Sequence, residues 1–335
     1  MQRIGIIGAG AWGTALAMAA RRAGRDVLIQ AREAETVDAI NQEHRNALFL
    51  PDVELDPAIR ATADLAQAAD ADAVLLAVPA QFLRGTCRDL ASSWTEGIPA
   101  VICAKGIERG SGALMSEVVA ETLPQAPIAI LSGPTFAIEV ARNLPTGVTL
   151  ASEDTALAQS LSDALFTQRL RIYSSDDVVG TQLGGAVKNV LAIGCGIVEG
   201  RGLGDNARAA LITRGLTEII RLAAAKGAKP ESLMGLSGLG DLTLTCNALQ
   251  SRNFSLGVAL GQGQSLDAIL GQRTSVAEGV ASAASVSELA GRLGVDMPIC
   301  LAVNGILHQD VDIDAAIEAL LARPMAAEDP FGPKA

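Results

Sequence analysis

The feature that most constrains the fold is a glycine pattern close to the start of the chain. Residues Gln2–Ile7 predict a short buried strand, and glycines follow at positions 8, 10 and 13. A helical stretch then runs from Thr14 to about Arg22, and Asp26–Gln30 predicts a second apolar strand. A strand, a glycine-rich turn, a helix and a strand within about thirty residues form a β-α-β unit.

Each glycine of this turn has a separate steric role in dinucleotide-binding units. Gly8 allows the tight turn, Gly10 lets the backbone approach a pyrophosphate, and Gly13 lets the helix pack against the strand. The helix N-terminus stabilises negatively charged phosphates. The alternative is a glycine-rich turn that binds no ligand. Because the pattern directly follows a strand and opens a helix, we favour a binding site for NADP or NAD.

Strands and helical segments alternate in the first half of the chain, which predicts a largely parallel sheet with helices on both faces. The further predicted strands are Ala73–Val78, Ala100–Cys103, Ile128–Leu131, Gly147–Ala151 and Leu170–Tyr173. The segments with helical spacing after Asp177 are Gln182–Val198, Ala207–Lys226, Ser265–Leu270 and Ser275–Leu293. We expect an α/β protein with a Rossmann domain at 1–177, an all-helical substrate domain at 178–335 and a loose tail from Arg323.

The charge of the chain restricts its partners. The net charge is −11 at pH 7, which disfavours nucleic acid and anionic membrane surfaces. An anionic substrate would therefore need a local cluster of Lys, Arg and backbone N–H groups. The longest uncharged runs are far shorter than a membrane span, and the first strand starts without a secretory signal before it. We expect a cytoplasmic protein that is not an integral membrane protein.

Cysteine and histidine are too sparse for several common kinds of site. The five cysteines are odd in number and form no Cys-x-x-Cys pair, so we expect buried free thiols rather than disulfides or a zinc site. The two histidines, His44 and His308, lie far apart in the sequence. We therefore expect no metal site, and a general base must be another residue type.

The end of the second strand bears on the choice of cofactor. An acidic residue at the end of that strand would favour NAD by bonding the ribose 2′-hydroxyl, whereas Arg32 could pair with the 2′-phosphate of NADP. Glu33 lies one step further along and could be solvated. Arg32 could also be a solvated surface charge, so NADP is favoured and NAD stays open.

Lys188 is the strongest candidate for a general base. It is the only charged residue between Asp177 and Glu199, in a segment that we expect to be buried. Burial disfavours the charged form of a lysine, and a more easily deprotonated lysine suits proton transfer near neutral pH. The alternative is a lysine that extends its ammonium to the surface.

Other polar residues lie in glycine-rich or proline-containing surroundings. Lys105 follows a predicted strand, where open α/β sheets bind ligands. Arg252 lies between Ser251 and Asn253, and a guanidinium flanked by neutral donors suits a phosphate, although Ser251 could also be the N-cap of a helix. Asp241 could orient a lysine or a substrate hydroxyl, or could be an N-cap itself.

A series of motifs in this order resembles the bacterial-type NAD(P)-dependent glycerol-3-phosphate dehydrogenases. They are Gly8–Gly13, Ile40–Pro51, Ala104–Gly106, Leu131–Ala137, Ala186–Val190, Gly238–Leu242, Ser251–Asn253 and Val276–Gly279. The resemblance covers nearly the whole chain. It implies a Rossmann domain followed by a helical domain, a homodimer, and a role in supplying glycerol 3-phosphate for phospholipid synthesis.

The resemblance also implies roles for individual residues. Lys188 corresponds to the proton acceptor of the family, with Lys105 and Asp241 beside it as catalytic residues. The implied substrate contacts are Lys105, Gly133, Thr135, Lys188, Asn189, Asp241, Thr245, Ser251, Arg252 and Asn253. The implied cofactor contacts are Gly8, Gly10, Ala11, Trp12, Gly13, Arg32, Lys105, Ala137, Arg252, Val276 and Glu278. Ala11 is a departure, since many relatives have Ser there, and only a backbone contact would survive the change.

The implied reaction is hydride transfer between a nicotinamide and C2 of sn-glycerol 3-phosphate, which forms dihydroxyacetone phosphate. One alternative is a lysine-dependent dehydrogenase of related fold that acts on a 3-hydroxy acid or a sugar acid. Another is a dinucleotide sensor without catalysis, but a sensor has no need of a general base.

Overall fold

The computed structural model describes residues 1–271 and 277–324, and the chain folds into two compact units. The first unit comprises Met1–Lys105 and Leu114–Val178, and the second comprises Gly106–Ala113 and the described part of Val179–Ala335. The sequence analysis did not anticipate that Gly106–Ala113 belongs with the second unit. Most of the predicted loose tail, from residue 325 onward, lies outside the described residues.

The first unit is built on a central sheet. Its strands and those of a small neighbouring sheet are β1 (Arg3–Ile7), β2 (Asp26–Gln30), β3 (Arg45–Asn46), β4 (Leu50–Glu54), β5 (Arg60–Thr62), β6 (Ala73–Leu76), β7 (Ala100–Ile102), β8 (Ile128–Ser132), β9 (Thr146–Ala151) and β10 (Leu170–Ser175). The central sheet has the order β10-β9-β8-β7-β6-β1-β2-β5, whereas β3 and β4 form an antiparallel pair of their own.

The order of the strands defines where a ligand would bind. In the sheet, the six adjacent strands β8, β7, β6, β1, β2 and β5 are all parallel. Strand β1 lies between β2 and β6. This arrangement is that of a Rossmann sheet, in which ligands bind beyond the carboxyl ends of the strands where the order reverses. The glycine-rich turn after β1 is at that point. The predicted parallel sheet is confirmed, except that β9 runs antiparallel to β8.

Short helices cover the faces of this sheet. They are α1 (Ala11–Arg22), α2 (Ala34–Asp38), α3 (Leu65–Ala69), α4 (Leu83–Leu90), α5 (Met115–Thr122), α6 (Ala137–Ala141) and α7 (Thr155–Leu165). β6 is fully buried, because helices on both sides exclude water from a parallel sheet. Asp64 and Asp154 cap α3 and α7 by accepting hydrogen bonds from backbone N–H groups of the first turn.

The second unit is helical, as the sequence predicts. Its helices are α8 (Val178–Gly200), α9 (Gly204–Ala225), α10 (Asp241–Cys246), α11 (Arg252–Gly261), α12 (Leu266–Gly271), α13 (Glu278–Leu293), α14 (Pro298–His308) and α15 (Ile313–Leu321). The first residue of α8 still belongs to the first unit. The start predicted for α13, Ser275, lies outside the described residues.

Helix α8 is long and apolar enough to cross a membrane. However, 89% of its most apolar window is buried inside the protein. Its apolar character is therefore that of a core helix around which the second unit packs. The five cysteines are all free and buried, which confirms the prediction made from their number and spacing.

A buried carboxylate caps one of the core helices of the second unit. Glu218 of α9 is only 1% exposed, and its carboxylate accepts hydrogen bonds from the backbone N–H groups of Ile299 (2.7 Å) and Cys300 (3.1 Å). These N–H groups lie in the first turn of α14, where intrahelical partners are lacking. Burial nevertheless raises the pKa of Glu218 to about 6, because the two hydrogen bonds only partly offset the loss of water.

This raised pKa predicts a pH-dependent contribution to stability. The folded state binds the Glu218 proton more tightly than the unfolded state, so the contribution is present below about pH 4.5 and is lost as the pH rises through about 6. For a shift of this size, the loss amounts to roughly 2 kcal/mol. The free energy of unfolding of the wild type, relative to Glu218→Gln, should therefore fall by that amount between pH 4.5 and 7.5 in urea titrations.

The exposed Glu288 of α13 offers a matched control, since its side chain is 49% exposed. Across the same pH range, Glu288→Gln should change the free energy of unfolding by less than about 0.5 kcal/mol, as substitutions at exposed positions usually do. A difference between wild type and Glu218→Gln that stays constant across this range would contradict the role given to burial.

Candidate active site

The glycine-rich turn after β1 has the geometry that its glycines predict. Gly8 has φ +103° and donates its N–H to the carbonyl of Gln30 (3.1 Å), which ties the turn to β2. A Cβ at Gly13 would overlap with the carbonyl oxygen of Gly8. By contrast, a Cβ at Gly10 would meet no protein atom within 4 Å. The turn is therefore closed toward the sheet and open at Gly10, as close approach of a phosphate requires.

Helix α1 begins directly after this turn and suits an anion. Gly10 is its N-cap and provides no side-chain cap, and no acidic residue lies in the first turn. The N–H groups at Ala11 and Trp12 lie where a helix has no internal acceptors, at the positive end of its dipole. The indole Nε1 of Trp12 is buried and has no hydrogen-bond partner within the described parts of the chain. A pyrophosphate fits this helix end through backbone contacts, which the lack of a hydroxyl at Ala11 does not affect.

Two charged residues follow β2, where the ribose of a bound dinucleotide would lie. Arg32 is exposed, and its guanidinium donates two hydrogen bonds to Oε1 of Glu33 (2.9 and 3.1 Å). Glu33 is thus paired rather than only solvated. The pair leaves both cofactor options of the sequence analysis physically possible, because an exposed guanidinium can exchange its carboxylate partner for a phosphate.

The residues after β7 and β8 meet at one edge of the sheet. The ammonium of Lys105 donates to the carbonyl of Gly133 (2.9 Å), and the hydroxyl of Thr135 donates to the same oxygen (3.2 Å). Gly133 has φ +148°, and a Cβ there would lie 3.0 Å from the Cα of Val148. Ala137 then begins α6. Parallel strands bring these sequence-distant motifs together in the first unit.

In the second unit, the candidate base is buried in an ion pair. The ammonium of Lys188 in α8 donates to Oδ1 of Asp241 (2.6 Å) and to Oγ1 of Thr245 (3.0 Å). The side chains of Lys188 and Asp241 are 8% and 0% exposed. Asp241 begins α10, but its carboxylate contacts the lysine, so the orienting role is favoured over the N-cap.

The ion pair opposes the effect of burial on the charge of Lys188. The sequence analysis considered desolvation, which favours the neutral amine. The carboxylate at 2.6 Å favours the ammonium instead, and the two effects oppose each other.

The thiol next to this pair carries no charge. Burial, and then the adjacent Cys195 thiol, raise the pKa of Cys246 well above its ordinary value. Cys246 is therefore a neutral packing residue and not a nucleophile.

Three helices of the second unit are joined at two asparagines. The amide of Asn253 donates to Oδ1 of Asn189 (2.9 Å), the residue after Lys188 in α8. The Oδ1 of Asn253 accepts the backbone N–H of Gly279 in α13 (3.0 Å). A Cβ at Gly279 would lie 2.6 Å from the carbonyl oxygen of Asn189, so this contact needs glycine. Asn253 is thereby fixed relative to the helix that carries Lys188.

The N-terminus of α11 presents the remaining substrate-site candidates. Ser251 is the N-cap, and its hydroxyl accepts the N–H of Phe254 (3.2 Å), as the alternative reading of that residue predicted. Arg252 is the first helical residue and is exposed, and no acidic residue lies in the first turn. A guanidinium at the positive end of a ten-residue helix is suited to an anion.

Two of the candidate cofactor contacts lie in or close to residues 272–276, which are outside the described part of the chain. Glu278 is the first residue of α13 and is partly buried. Val276 lies outside the described residues. Their predicted contacts with a cofactor stay predictions, as do the individual ligand contacts of the other candidates.

The sequence analysis missed a glycine contact that sets the position of α11. Gly196 and Gly200 of α8 face Gly257 and Gly261 of α11, and the facing Cα atoms are so close that a Cβ at any of these four positions would overlap with the backbone of the other helix. Each pair is spaced four residues apart, which places it on one helix face. The spacing was a visible signal, although the sequence did not show which two helices it joins. We call these four residues the glycine seam.

A Rossmann sheet with an anion-binding turn in one unit, and a buried lysine–aspartate pair in a helical unit, define the class of nicotinamide-dependent dehydrogenases. Family models described as the N-terminus and the C-terminus of NAD-dependent glycerol-3-phosphate dehydrogenase match residues 3–158 and 177–318. The chain belongs to the NAD-dependent glycerol-3-phosphate dehydrogenase family.

Individual relatives are similar over almost the full length. The glycerol-3-phosphate dehydrogenase (NAD(P)+) of Rhodospirillum rubrum is 60% identical over 98% of this chain and 94% of that protein. The enzyme of the same name from Caulobacter vibrioides is 57% identical over 98% of this chain and 99% of that protein. A crystal structure of glycerol-3-phosphate dehydrogenase from Coxiella burnetii has a TM-score of 0.92 at 40% identity and covers 96% of this chain and 99% of that one. These findings confirm the family resemblance and the fold.

The glycine seam leads to a prediction about the second unit. In Gly257→Ala the added methyl overlaps with the carbonyl oxygen of Ile193 and lies 2.9 Å from the Cα of Gly196, so the two helices must separate. We expect a loss of about 1–3 kcal/mol in the free energy of unfolding. Because Arg252 and Asn253 lie on the displaced helix, the KM for a phosphorylated substrate should also rise.

Gly291 of α13 is the matched control for this substitution. It is exposed, and a Cβ there meets no atom within 4 Å. Gly291→Ala should stabilise the protein by about 0.4–1 kcal/mol, since alanine restricts the unfolded chain. Equal stability changes in the two variants would show that the seam is not a close contact.

Proposed function

We propose that this chain interconverts sn-glycerol 3-phosphate and dihydroxyacetone phosphate with NADP or NAD as the hydride carrier. The observation that carries the proposal is the buried ion pair of Lys188 and Asp241 in the helical unit of a family member. The names of the relatives support this substrate pair over a 3-hydroxy acid or a sugar acid. They also support an enzyme over a dinucleotide sensor.

The proton transfer is assigned to Lys188. In reduction of the ketone, the Lys188 ammonium donates a proton to the C2 oxygen, which becomes the hydroxyl of glycerol 3-phosphate. In oxidation, the neutral amine takes that proton back from the hydroxyl. A dinucleotide held at the glycine-rich turn and the N-terminus of α1 would supply or accept the hydride at C2 through its nicotinamide. Such a general acid or base contributes on the order of a hundred- to ten-thousand-fold to the rate.

Asp241 and Thr245 act by holding the lysine in place. Both accept hydrogen bonds from its ammonium, and Thr245 itself donates to the backbone carbonyl of Asp241 (2.6 Å). The carboxylate stabilises the protonated lysine before it donates. Lys105 is proposed as a further donor to the substrate oxygen, with its ammonium oriented by the carbonyl of Gly133.

The phosphate of the substrate is assigned to the N-terminus of α11. Arg252 supplies the charge, and Ser251, Asn253 and Asn189 supply neutral polar groups held by the hydrogen bonds described above. Fixed donors of this kind orient a substrate so that its reacting carbon is correctly placed. This local cluster supplies the positive charge and the polar groups that an acidic chain needs in order to bind an anionic ligand.

The fit of the first unit to a dinucleotide rests on the open space at Gly10 and the α1 N-terminus. Arg32 is proposed to exchange Glu33 for the 2′-phosphate of NADP, and this exchange would favour NADP over NAD. Ala137, Val276 and Glu278 remain proposed cofactor contacts. An assay of dihydroxyacetone phosphate with NADPH and then with NADH, following absorbance at 340 nm, tests both the reaction and the cofactor preference. No oxidation of either cofactor would contradict the proposal.

We also propose a cytoplasmic homodimer that supplies glycerol 3-phosphate for phospholipid synthesis. The support for this proposal is the family to which the chain belongs. Light scattering of the purified protein measures the oligomeric state, and a monomer at micromolar concentration would contradict the dimer.

The role of Lys188 predicts a separation of catalysis from cofactor binding. Lys188→Ala should lower kcat by about a hundredfold or more, because the proton donor is lost. The dissociation constant for NADPH, measured by fluorescence titration, should change little. Lys229→Ala, which removes an exposed lysine of the same unit, should keep wild-type turnover. Wild-type kcat in Lys188→Ala would refute the assignment of the base.

The role of Arg252 predicts a loss that depends on the phosphate of the substrate. Arg252→Ala should lower kcat/KM for dihydroxyacetone phosphate by about tenfold to a hundredfold, mainly through KM, because a charge-assisted contact is lost. The kcat/KM for dihydroxyacetone, which lacks the phosphate, should be unchanged by the substitution. Arg252→Lys should recover part of the loss, and Arg88→Ala, at an exposed position in α4, should show none. An equal loss on both substrates would remove Arg252 from the phosphate site.

A further inference from the structure

Asn46 is a buried residue of the first unit that lies within the motif Ile40–Pro51, but neither the resemblance nor the proposed mechanism assigns it a role. It ends β3 and is 0% exposed. Its Nδ2 donates to the carbonyl of Ala9 (2.8 Å) and to Oγ1 of Thr14 (2.8 Å), and its Oδ1 accepts the N–H of Phe49 (3.2 Å). One amide thus contacts the glycine-rich turn, the first turn of α1 and the loop that leads to β4.

The chemistry of these partners fixes the orientation of the amide. The Ala9 carbonyl can only accept a hydrogen bond, and the Phe49 N–H can only donate one, so the nitrogen and the oxygen of Asn46 cannot exchange places. Both hydrogens of Nδ2 are used. Thr14 reinforces the contact because its own hydroxyl donates to the Ala9 carbonyl (3.4 Å). A buried group with these contacts is held in one position.

The carbonyl that Asn46 holds belongs to the peptide unit between Ala9 and Gly10. In a trans peptide the carbonyl and the following N–H point in opposite directions. When Asn46 draws the Ala9 carbonyl toward itself, the N–H of Gly10 is turned to the opposite side. A Cβ added at Gly10 itself would meet no protein atom within 4 Å, so there is open space beside this residue.

We propose that Asn46 is a positioning residue for dinucleotide binding. It fixes the Ala9–Gly10 peptide so that the Gly10 N–H faces the phosphates and the negatively polarised Ala9 carbonyl is turned away from them. Without Asn46 the peptide can rotate, and a carbonyl turned toward the phosphates repels them. Because this role concerns only the cofactor, the binding of the ketose phosphate should not change.

Asn41 provides a matched control in the same stretch of chain. Its amide also makes two hydrogen bonds to backbone, donating to the carbonyl of Ala61 (2.9 Å) and accepting the Ala61 N–H (2.9 Å). These bonds hold β5 and do not involve the glycine-rich turn. Asn41→Ala and Asn46→Ala therefore remove the same side-chain atoms and a similar number of backbone contacts.

Direct titration of the purified protein with NADPH and NADH separates the two residues. Asn46→Ala should raise both dissociation constants by about tenfold, the size expected for losing a preorganised hydrogen-bonding group. Asn41→Ala should lower Tm but raise the dissociation constants less than about twofold. The KM for dihydroxyacetone phosphate at saturating cofactor should stay at the wild-type value in both variants.

Thr14 gives a second test that does not depend on the folding of Asn46→Ala. Thr14→Val keeps the shape but removes the hydroxyl that Asn46 contacts, and should weaken dinucleotide binding about threefold. Thr14→Ser keeps the hydroxyl and should bind as the wild type does. Equal dissociation constants in Thr14→Val and Thr14→Ser would overturn the positioning role of Asn46. A lower Tm without weaker dinucleotide binding in Asn46→Ala would do the same. Neither result would contradict the proposed function. A wild-type protein without dinucleotide affinity would overturn both this role and the proposed function.

Discussion

The second unit is organised by the requirement that a buried lysine have a partner. Lys188 and Asp241 are almost completely withdrawn from water, and each ion would cost several kcal/mol if it were buried alone. The two helices that carry them must therefore lie close enough for the lysine ammonium to reach the carboxylate. Gly184 makes this approach possible, because a Cβ there would lie 3.0 Å from the Cα of Gly238 in the turn before α10. A side chain at Gly184 would also overlap with the carbonyl oxygen of Ser237, so glycine at this position permits the close contact between α8 and the segment before Asp241.

The same requirement extends to the residues proposed to bind substrate. Asn189 follows Lys188 in α8, and its side chain accepts a hydrogen bond from the amide of Asn253. Its backbone carbonyl lies so close to Gly279 that no side chain fits at that position. The glycine seam brings α11 against α8 about two to three turns after Lys188. The N-terminus of α11 is consequently held by the helix that carries the lysine, and its position does not depend on a loop. A site built on packed helices keeps its geometry more closely than one built on loops.

Local signals explain which parts could be predicted from the sequence. The β1–α1–β2 unit was predicted because its glycine spacing and apolar runs lie within thirty residues, and the helices after Asp177 were predicted because their spacing is also local. The short strands β3 to β5 were missed, since few apolar residues mark them. The reversed direction of β9 and the pairing of Lys188 with Asp241 depend on tertiary contacts. Desolvation of Lys188 could be foreseen, and Asp241 was named as a residue that could orient a lysine. The sequence analysis did not consider that the Asp241 carboxylate would oppose the effect of desolvation on the lysine.

The acidity of the chain does not conflict with two anionic ligands, because electrostatic interactions are local. Charges in solvent are largely screened beyond about 8 Å at physiological ionic strength. The first helical turns of α1 and α11 carry no acidic residue, and their backbone N–H groups lie at the positive ends of the two helices. Arg252 adds a full charge at α11, whereas the first turn of α1 contains no charged residue. The phosphate site proposed at α1 therefore depends on the direction of its peptide groups, and the neutral amide of Asn46 holds one of them through the Ala9 carbonyl.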